Sequence, residues 1–293
     1  MSYELAIILV RGLGLGSIFA LLAMSFNVVH SSSGILNFAQ GNFLVLGGFA
    51  AAFLLASPPD MAMWWIMLPV ATIIVAALLS FHGWITLLPL RNSTEQDSWM
   101  ISTMAVSIMI GAGLLITQGP FAQTVQSAFA SFRVMGTRTP APYALCFVLM
   151  IAWFLWLKWF HARTLTGLAI SAISQDMEAA RAAGLRVRRL QLLAFTISGL
   201  VVGSTGFVAA PVLSISADSG FRYVLNGFIA AVVGGMGSNT GAVIAGPLLG
   251  IIAMVATYQV GGEYQNFVSL LILVLILMFR PQGLFGRTAA RRV

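Results

Sequence analysis

The chain of 293 residues has one cysteine, one lysine, three histidines and eight acids, and charged residues make up only 8% of it. Each shortage removes a class of function. A lone Cys146 excludes an internal disulfide and any CxxC metal or redox pair. A P-loop needs GxxxxGK[ST], whose lysine reaches the phosphates. The single lysine, Lys158, stands in WLKWF, so the chain has no such nucleotide site. His30, His82 and His161 are scattered with no metal-ligand spacing, and Ser31, Ser32 and Ser33 have no base nearby in sequence. The acids Glu4, Asp60, Glu95, Asp97, Asp176, Glu178, Asp218 and Glu263 map to loops or span ends. That placement argues against a membrane enzyme, which needs clustered acid and base groups, and against an ion-coupled secondary transporter, which needs a carboxylate at membrane depth.

What remains is apolar. Hydrophobic residues make up 59% of the chain, and the mean hydropathy is +0.95. Runs such as WWIMLPVATIIVAALLSF and FVSLLILVLILMF approach the ~20 residues a helix needs to cross hydrocarbon. Uniformly apolar runs without alternation fit helices rather than a barrel, because backbone groups in lipid must be paired internally. The fold class is therefore all-α: a polytopic transmembrane helical bundle forming one domain over 1–293. Its eight or nine segments, some of them broken or re-entrant, fall near 5–29, 35–56, 64–88, 99–117, 141–160, 190–210, 224–235, 241–257 and 266–280. MSYELAIILVRGLG lacks a basic leader and reads as the first span rather than a cleavable signal. The net charge of +7 sits in residues flanking spans, and no soluble domain presents a face for nucleic acid.

Lysine and arginine in short loops set orientation. The connection from Lys158 to Arg189 also carries Arg163, Arg181, Arg186 and Arg188, and the tail carries Arg280, Arg287, Arg291 and Arg292. Both are expected to be cytoplasmic, with the N-terminus and the loop 118–140 outside, even though that loop holds Arg133 and Arg138. The two segments around GGMGSNTG then either both span or form a re-entrant pair. The tryptophans, from Trp64 to Trp159, mostly fall near span ends, which suits an interfacial belt.

Small residues crowd GNFLVLGGF and GAVIAGPLLG. Close helix packing explains them, since packing drives association in lipid. A sharper reading makes them corresponding interrupted segments from two halves of a transporter. On that reading Gly234, Gly235, Gly237 and Ser238 join Asn37, Gln40, Gly41 and Asn42 as candidates for the solute path. The amides of Asn37, Gln40 and Asn42 must find partners inside the bundle or in a watery cavity. Arg11 interrupts an apolar span; it either snorkels to the interface or meets an anionic solute or an acidic partner. Asp218 and Arg222 are expected in an external loop, where a solute receptor could dock.

The densest charge lies in SQDMEAARAAGLRVRRLQ. Asp176 is placed to cap a helix, Glu178 sits where the dipole favours an acid, and Gly184 is placed to end it. A helix of about two turns follows, with a basic shoulder at Arg186, Arg188 and Arg189. Alone in water so short a helix is marginal, so something must hold it. A positive-inside anchor explains the arginines, and insertion of a small-residue helix into a groove on a partner explains the rest.

The segment RTLTGLAISAISQDMEAARAAGLRVRRLQLLAFTISGLVVGSTG resembles the cytoplasmic loop and following helix of the branched-chain amino acid permease family of ABC importers. The resemblance continues through GILNFAQGNFLVLGGF, FIAAVVGGMGSNTGAVIAGPLLG and FRPQGLFG, so it touches the whole chain. It implies a bacterial inner-membrane permease moving branched-chain or related amino acids, with a coupling region at about 161–190. Asp176, Glu178, Ala179, Ala180, Arg181 and Gly184 hold the positions that dock the ATPase. The implied partners are two cytoplasmic ATP-binding subunits that carry the ATP and Mg, a second homologous permease, a periplasmic binding protein and membrane lipid. The chain itself would be no enzyme and hold no cofactor. Family members commonly carry His where Gln40 stands, a departure that bears on substrate preference; urea, short amides and aromatic acids are the alternative solutes.

Overall fold

The computed structural model describes residues 2–55, 60–87, 98–134 and 137–286. Glu95 and Asp97, and Arg287, Arg291 and Arg292 of the tail, lie outside the described residues. The chain is built almost entirely of helices. Seven of them are long and apolar enough to cross a membrane: α1 (Ser2–Ser33), α3 (Met61–Leu87), α4 (Ser98–Gln118), α5 (Ala141–Arg163), α8 (Val187–Ala209), α10 (Asn239–Gln259) and α11 (Gln265–Phe279). Two apolar helices are shorter, α2 (Gln40–Leu54) and α9 (Ser219–Gly234). At 1.5 Å per residue each is about 22–24 Å long, less than the ~30 Å hydrocarbon core. A non-helical stretch precedes each of them, 34–39 before α2 and 213–218 before α9, and supplies the missing length.

The side chains sort as lipid demands. Phe19, Phe26, Phe195 and Phe207 are fully buried, whereas Ile108, Met109, Val148, Phe267 and Met278 are exposed along α4, α5 and α11. In water such a surface would be a liability, but in a bilayer it is solvated by acyl chains. The protein is a multi-pass membrane protein. α8 is the most enclosed of the long helices, and α4 and α11 are mostly surface.

Glycine sets the central seam. α1 and α10 run antiparallel in close contact, and a Cβ added at Gly12 would lie 2.7 Å from the Ile251 Cα. Gly16, Gly246 and Gly250 are similarly pressed against facing backbone. Where side chains vanish, dispersion contacts between backbones replace them. GAVIAGPLLG is therefore not an interrupted segment: it lies inside the unbroken α10, whose small residues serve the contact with α1. The two segments around GGMGSNTG are α9 and α10, joined by a tight turn, and both belong to crossings.

Two ends of the bundle are defined by contacts. At one, the α9–α10 turn binds the C-terminal segment through Leu284 N–H to the Val233 carbonyl (2.8 Å) and Phe285 N–H to the Gly234 carbonyl (3.1 Å). The last residues of α1 lie there too, with α6 (Leu165–Gln175) and α7 (Met177–Ala182). At the other end a short hairpin of β1 (Phe132–Val134) and β2 (Thr137–Thr139) covers the loop after α4, and Gln123 pairs with Ile215. Among the described residues this gives nine passes: seven single helices and the two broken crossings.

Candidate functional site

The break before α2 has a local cause. α1 stops at Gly34, which has a φ of +71°. The Asn37 side-chain oxygen then accepts from the Ala39 N–H at 3.0 Å, an Asx-type turn that redirects the chain into α2. The break before α9 is built likewise. The Ser219 hydroxyl donates to the Ser216 carbonyl at 2.7 Å and accepts from the Ser216 N–H at 3.2 Å, folding 216–219 into the start of α9.

These two helix starts meet. A Cβ on Gly41 would overlap the Gly220 carbonyl oxygen and come within 2.8 Å of the Val224 nitrogen. A side chain on Gly220 would overlap the Asn42 side chain. The junction lies about halfway along the bundle, because its neighbours are contacted near their own middles: Ser198 in α8, and Ser107 and Gly111 in α4. The counterpart of GNFLVLGGF is thus the α8–α9 crossing: α2 leaves the midplane toward the hairpin end, and α9 leaves it toward the α6–α7 end.

The amides at this junction are enclosed and mostly paired. The Gln40 Nε2 donates to the Ser198 hydroxyl, linking α2 to α8. The Asn42 Nδ2 donates to the carbonyl and, at 2.7 Å, to the hydroxyl of Ser107 on α4. The Asn37 Oδ1 lies 3.1 Å from Nε2 of His82, a ring sandwiched by Phe43 and Phe195. The Asn37 Nδ2, Gln40 Oε1 and His82 Nδ1 have no hydrogen-bond partner among the described residues. Ser198→Ala removes the hydroxyl that accepts from the Gln40 amide and leaves that donor without a partner among the described residues. The expected cost is about 1–3 kcal/mol, read as a fall in the detergent melting temperature with larger loss than Ser102→Ala on α4.

Sequence reasoning missed two residues here. Asp218 and Arg222 do not lie in an external loop. Asp218 immediately precedes α9, Arg222 lies one turn into it, and both are exposed at the level of the Gly41–Gly220 contact. The signal was hidden because 213–218 looks like an ordinary polar loop unless its ends are known to lie at different depths.

Other candidates are placed elsewhere. Gly234, Gly235, Gly237 and Ser238 form the α9–α10 turn at the α6–α7 end. Gly235 adopts φ +98° with Gly286 against it, the Gly237 N–H donates to the Asn27 Oδ1 at 2.9 Å, and the Ser238 hydroxyl caps α10 by accepting from the Gly241 N–H. Arg11 sits near the hairpin end, with its guanidinium 3.4 Å from both the Tyr258 hydroxyl and the Arg138 carbonyl. Its reach to the bundle end fits snorkelling.

At the α6–α7 end the charged stretch forms the short helix its residues specify. The Asp176 Oδ1 accepts from the Glu178 and Ala179 N–H groups, both at 3.0 Å, and Gly184 takes φ +83° after it. α6, unforeseen as a separate helix, precedes α7 and is capped by the Thr164 hydroxyl. Among the alanines of α7, Ala180 faces inward. It is 5% exposed and packs with Ile170, Ile173, Val187 and Leu190, tying α7 to α6 and α8. Glu178, Ala179, Arg181, Ala182, Ala183 and Gly184 form the outward face. Beside them a polar cavity of about 710 Å³ opens between His30, Ser174, Met177, Ser238 and Phe285. Asp176→Ala is expected to cost about 1 kcal/mol, seen as faster hydrogen exchange confined to 178–183.

With this geometry in hand, likeness to known proteins becomes decisive. Residues 8–277 match the family described as "Branched-chain amino acid transport system / permease component". The chain belongs to that family. It is 26% identical to the high-affinity branched-chain amino acid transport system permease protein LivH of Escherichia coli K12, over 97% of this chain and 96% of LivH. It is also 26% identical to the permease protein BraD of Pseudomonas aeruginosa, over 97% of each chain. The LivM permease of Escherichia coli K12 is 28% identical over 92% of this chain and 68% of its own length. No solved structure matches. As a permease component, the chain is a transport subunit.

Proposed function

We propose that this chain is the inner-membrane permease subunit of an ATP-driven importer for branched-chain or closely related amino acids. The observation that carries the reading is the family match over nearly the whole chain, with full-length likeness to LivH and BraD. Likeness to LivM as well supports pairing with a second homologous permease. ATP and Mg would be held by two cytoplasmic ATPase subunits, and a periplasmic binding protein would deliver the solute.

Charge supports the orientation. The α6–α7 end carries Lys158, Arg163, Arg181, Arg186, Arg188, Arg189 and Arg280, which supports a cytoplasmic position for it and an external start of α1. α7 would then be the coupling helix, with Ala179, Ala182 and Ala183 seated in a groove of the ATPase and Arg181 at its rim. Its inward residue, Ala180, shares one apolar cluster with α6 and the first turn of α8. α8 in turn carries Ser198, bound to Gln40, and Gly203 and Gly206, packed on α2. A push on α7 is therefore delivered along α8 to the junction of the broken crossings. Packed interfaces of this kind switch between discrete arrangements rather than bending smoothly, and that switch would open the midplane alternately to either side.

The test is reconstitution. The permease, its partner permease, both ATPases and the binding protein in vesicles should take up radiolabelled leucine only with ATP and binding protein present. Uptake against a gradient by the purified permease alone would sink this reading.

A further inference from the structure

Asp218 and Arg222 stand where charge is most expensive. They lie about halfway along the bundle, since Gly220 packs on Gly41 and Asn42 and the Ala217 carbonyl faces Gly111 of α4, yet both are exposed on the surface of the chain, as is Phe221 between them at 55%. A charged side chain facing acyl chains at that depth costs several kcal/mol and is found almost solely against water or a protein partner. Snorkelling, which relieves Arg11, is unavailable to Asp218, whose side chain is short and tied to the Ser216 hydroxyl at 2.6 Å. The Arg222 guanidinium has no hydrogen-bond partner among the described residues, although its carbonyl accepts from Asn226. The remaining exposed surface of α4 and α11 is a belt of Ile, Leu, Met and Phe. The bundle thus has one face that is not lipid-facing, at the start of α9.

We propose that Asp218 and Arg222 line the aqueous solute path at mid-membrane and hold the two charged ends of a zwitterion in transit. The pair is separated by one helical turn, so both side chains project from the same face. An α-amino acid carries an ammonium and a carboxylate on one carbon. Asp218 meets the ammonium, and Arg222, beside the N-terminal end of α9 where the dipole favours anions, meets the carboxylate. Such contacts are exposed and unbacked by burial, so they are weak, as a site that must release its solute requires. Urea and neutral amides lack both charges and gain nothing from the pair. This inference rests on the importer reading above and names the chemistry its path selects.

The single native thiol, Cys146, is fully buried, so introduced cysteines report cleanly. In the assembled transporter in vesicles, Arg222→Cys and Phe221→Cys should react with a charged, membrane-impermeant methanethiosulfonate at least tenfold faster than Ile108→Cys, which is 71% exposed on the apolar face of α4. Phe221→Cys keeps both charges and so guards against misfolding of the arginine variant. Saturating leucine with binding protein should slow the reaction. Asp218→Asn and Arg222→Gln should each lower leucine uptake at least tenfold while ATPase co-purification is retained. Labelling no faster than at position 108 overturns the aqueous face, and uptake unchanged in both neutral variants overturns the solute contact. If the wild-type assembly instead imports urea or an amide in place of leucine, the substrate reading fails, and the labelling result still decides whether this face is wet.

Discussion

Gly41→Val is expected to abolish uptake and to lower the stability of the permease by about 3 kcal/mol or more, the upper end of the cost of overpacking. The reason is the nature of the neighbours. A Cβ at this position meets the Gly220 carbonyl oxygen and the Val224 nitrogen, which are backbone atoms of a helix start and cannot rotate away. Relief requires α2 and α9 to move apart, and that breaks the bond between Gln40 and Ser198 and the bonds from Asn42 to Ser107. Gly206→Val is expected to behave in the same way, since its Cβ would overlap the Leu44 carbonyl oxygen on α2. Gly113→Val is the control: nothing lies within 4 Å of a Cβ there, and the residue sits on an exposed helix face. Thermal melting in detergent should separate the first two from the third by more than 10 °C. Equal melting temperatures for Gly41→Val and Gly113→Val would mean that the two broken crossings do not meet as described.

The second large effect is expected on α7. Ala179→Trp places a large ring on the outward side of the short helix, where it would collide with the wall of any groove built for alanine. Co-purification of the ATPase subunits and ATP-driven uptake should both fall at least tenfold, corresponding to about 1.4 kcal/mol or more of lost docking energy. The melting temperature of the permease itself should hardly change, because substitutions on an exposed surface usually stay within about 0.5 kcal/mol. Ala180→Trp should show the opposite pattern. That residue is buried among Ile170, Ile173, Val187 and Leu190, so a ring there dislodges α7 from α6 and α8 and destabilises the permease before any partner binds. If Ala179→Trp retains its ATPase partners and its transport rate, α7 is not the docking element.

The contrast between neighbouring alanines shows how far sequence could lead. The existence of α7, its acidic cap and its glycine stop were legible, because capping is a local matter of a few adjacent residues and their backbone groups. Which alanine turns inward was not, because that depends on where α6 and α8 run. The same limit explains GAVIAGPLLG. Its glycines were visible and their use in close packing was a sound expectation, but the sequence could not tell a helix packed on α1 from a helix that breaks. Asp218 and Arg222 were misplaced for a related reason: a polar stretch between two apolar runs reads as a loop outside the membrane, and nothing nearby in sequence reveals that the second run starts at mid-depth.

Composition and local pattern by themselves determined that this chain is a many-pass helical membrane protein without a P-loop, and that a capped, charged helix projects at about residue 180. Those properties follow from hydropathy and from bonds between residues a few positions apart. Only the tertiary structure decided that α2 begins against α9, since that junction depends on partners such as Gln40 and Ser198, 158 positions apart. It also decided which charges stand halfway along the bundle, because that level is a property of the assembled helices: it is fixed by glycine backbones in contact across them, and a residue's own neighbours in sequence do not encode it.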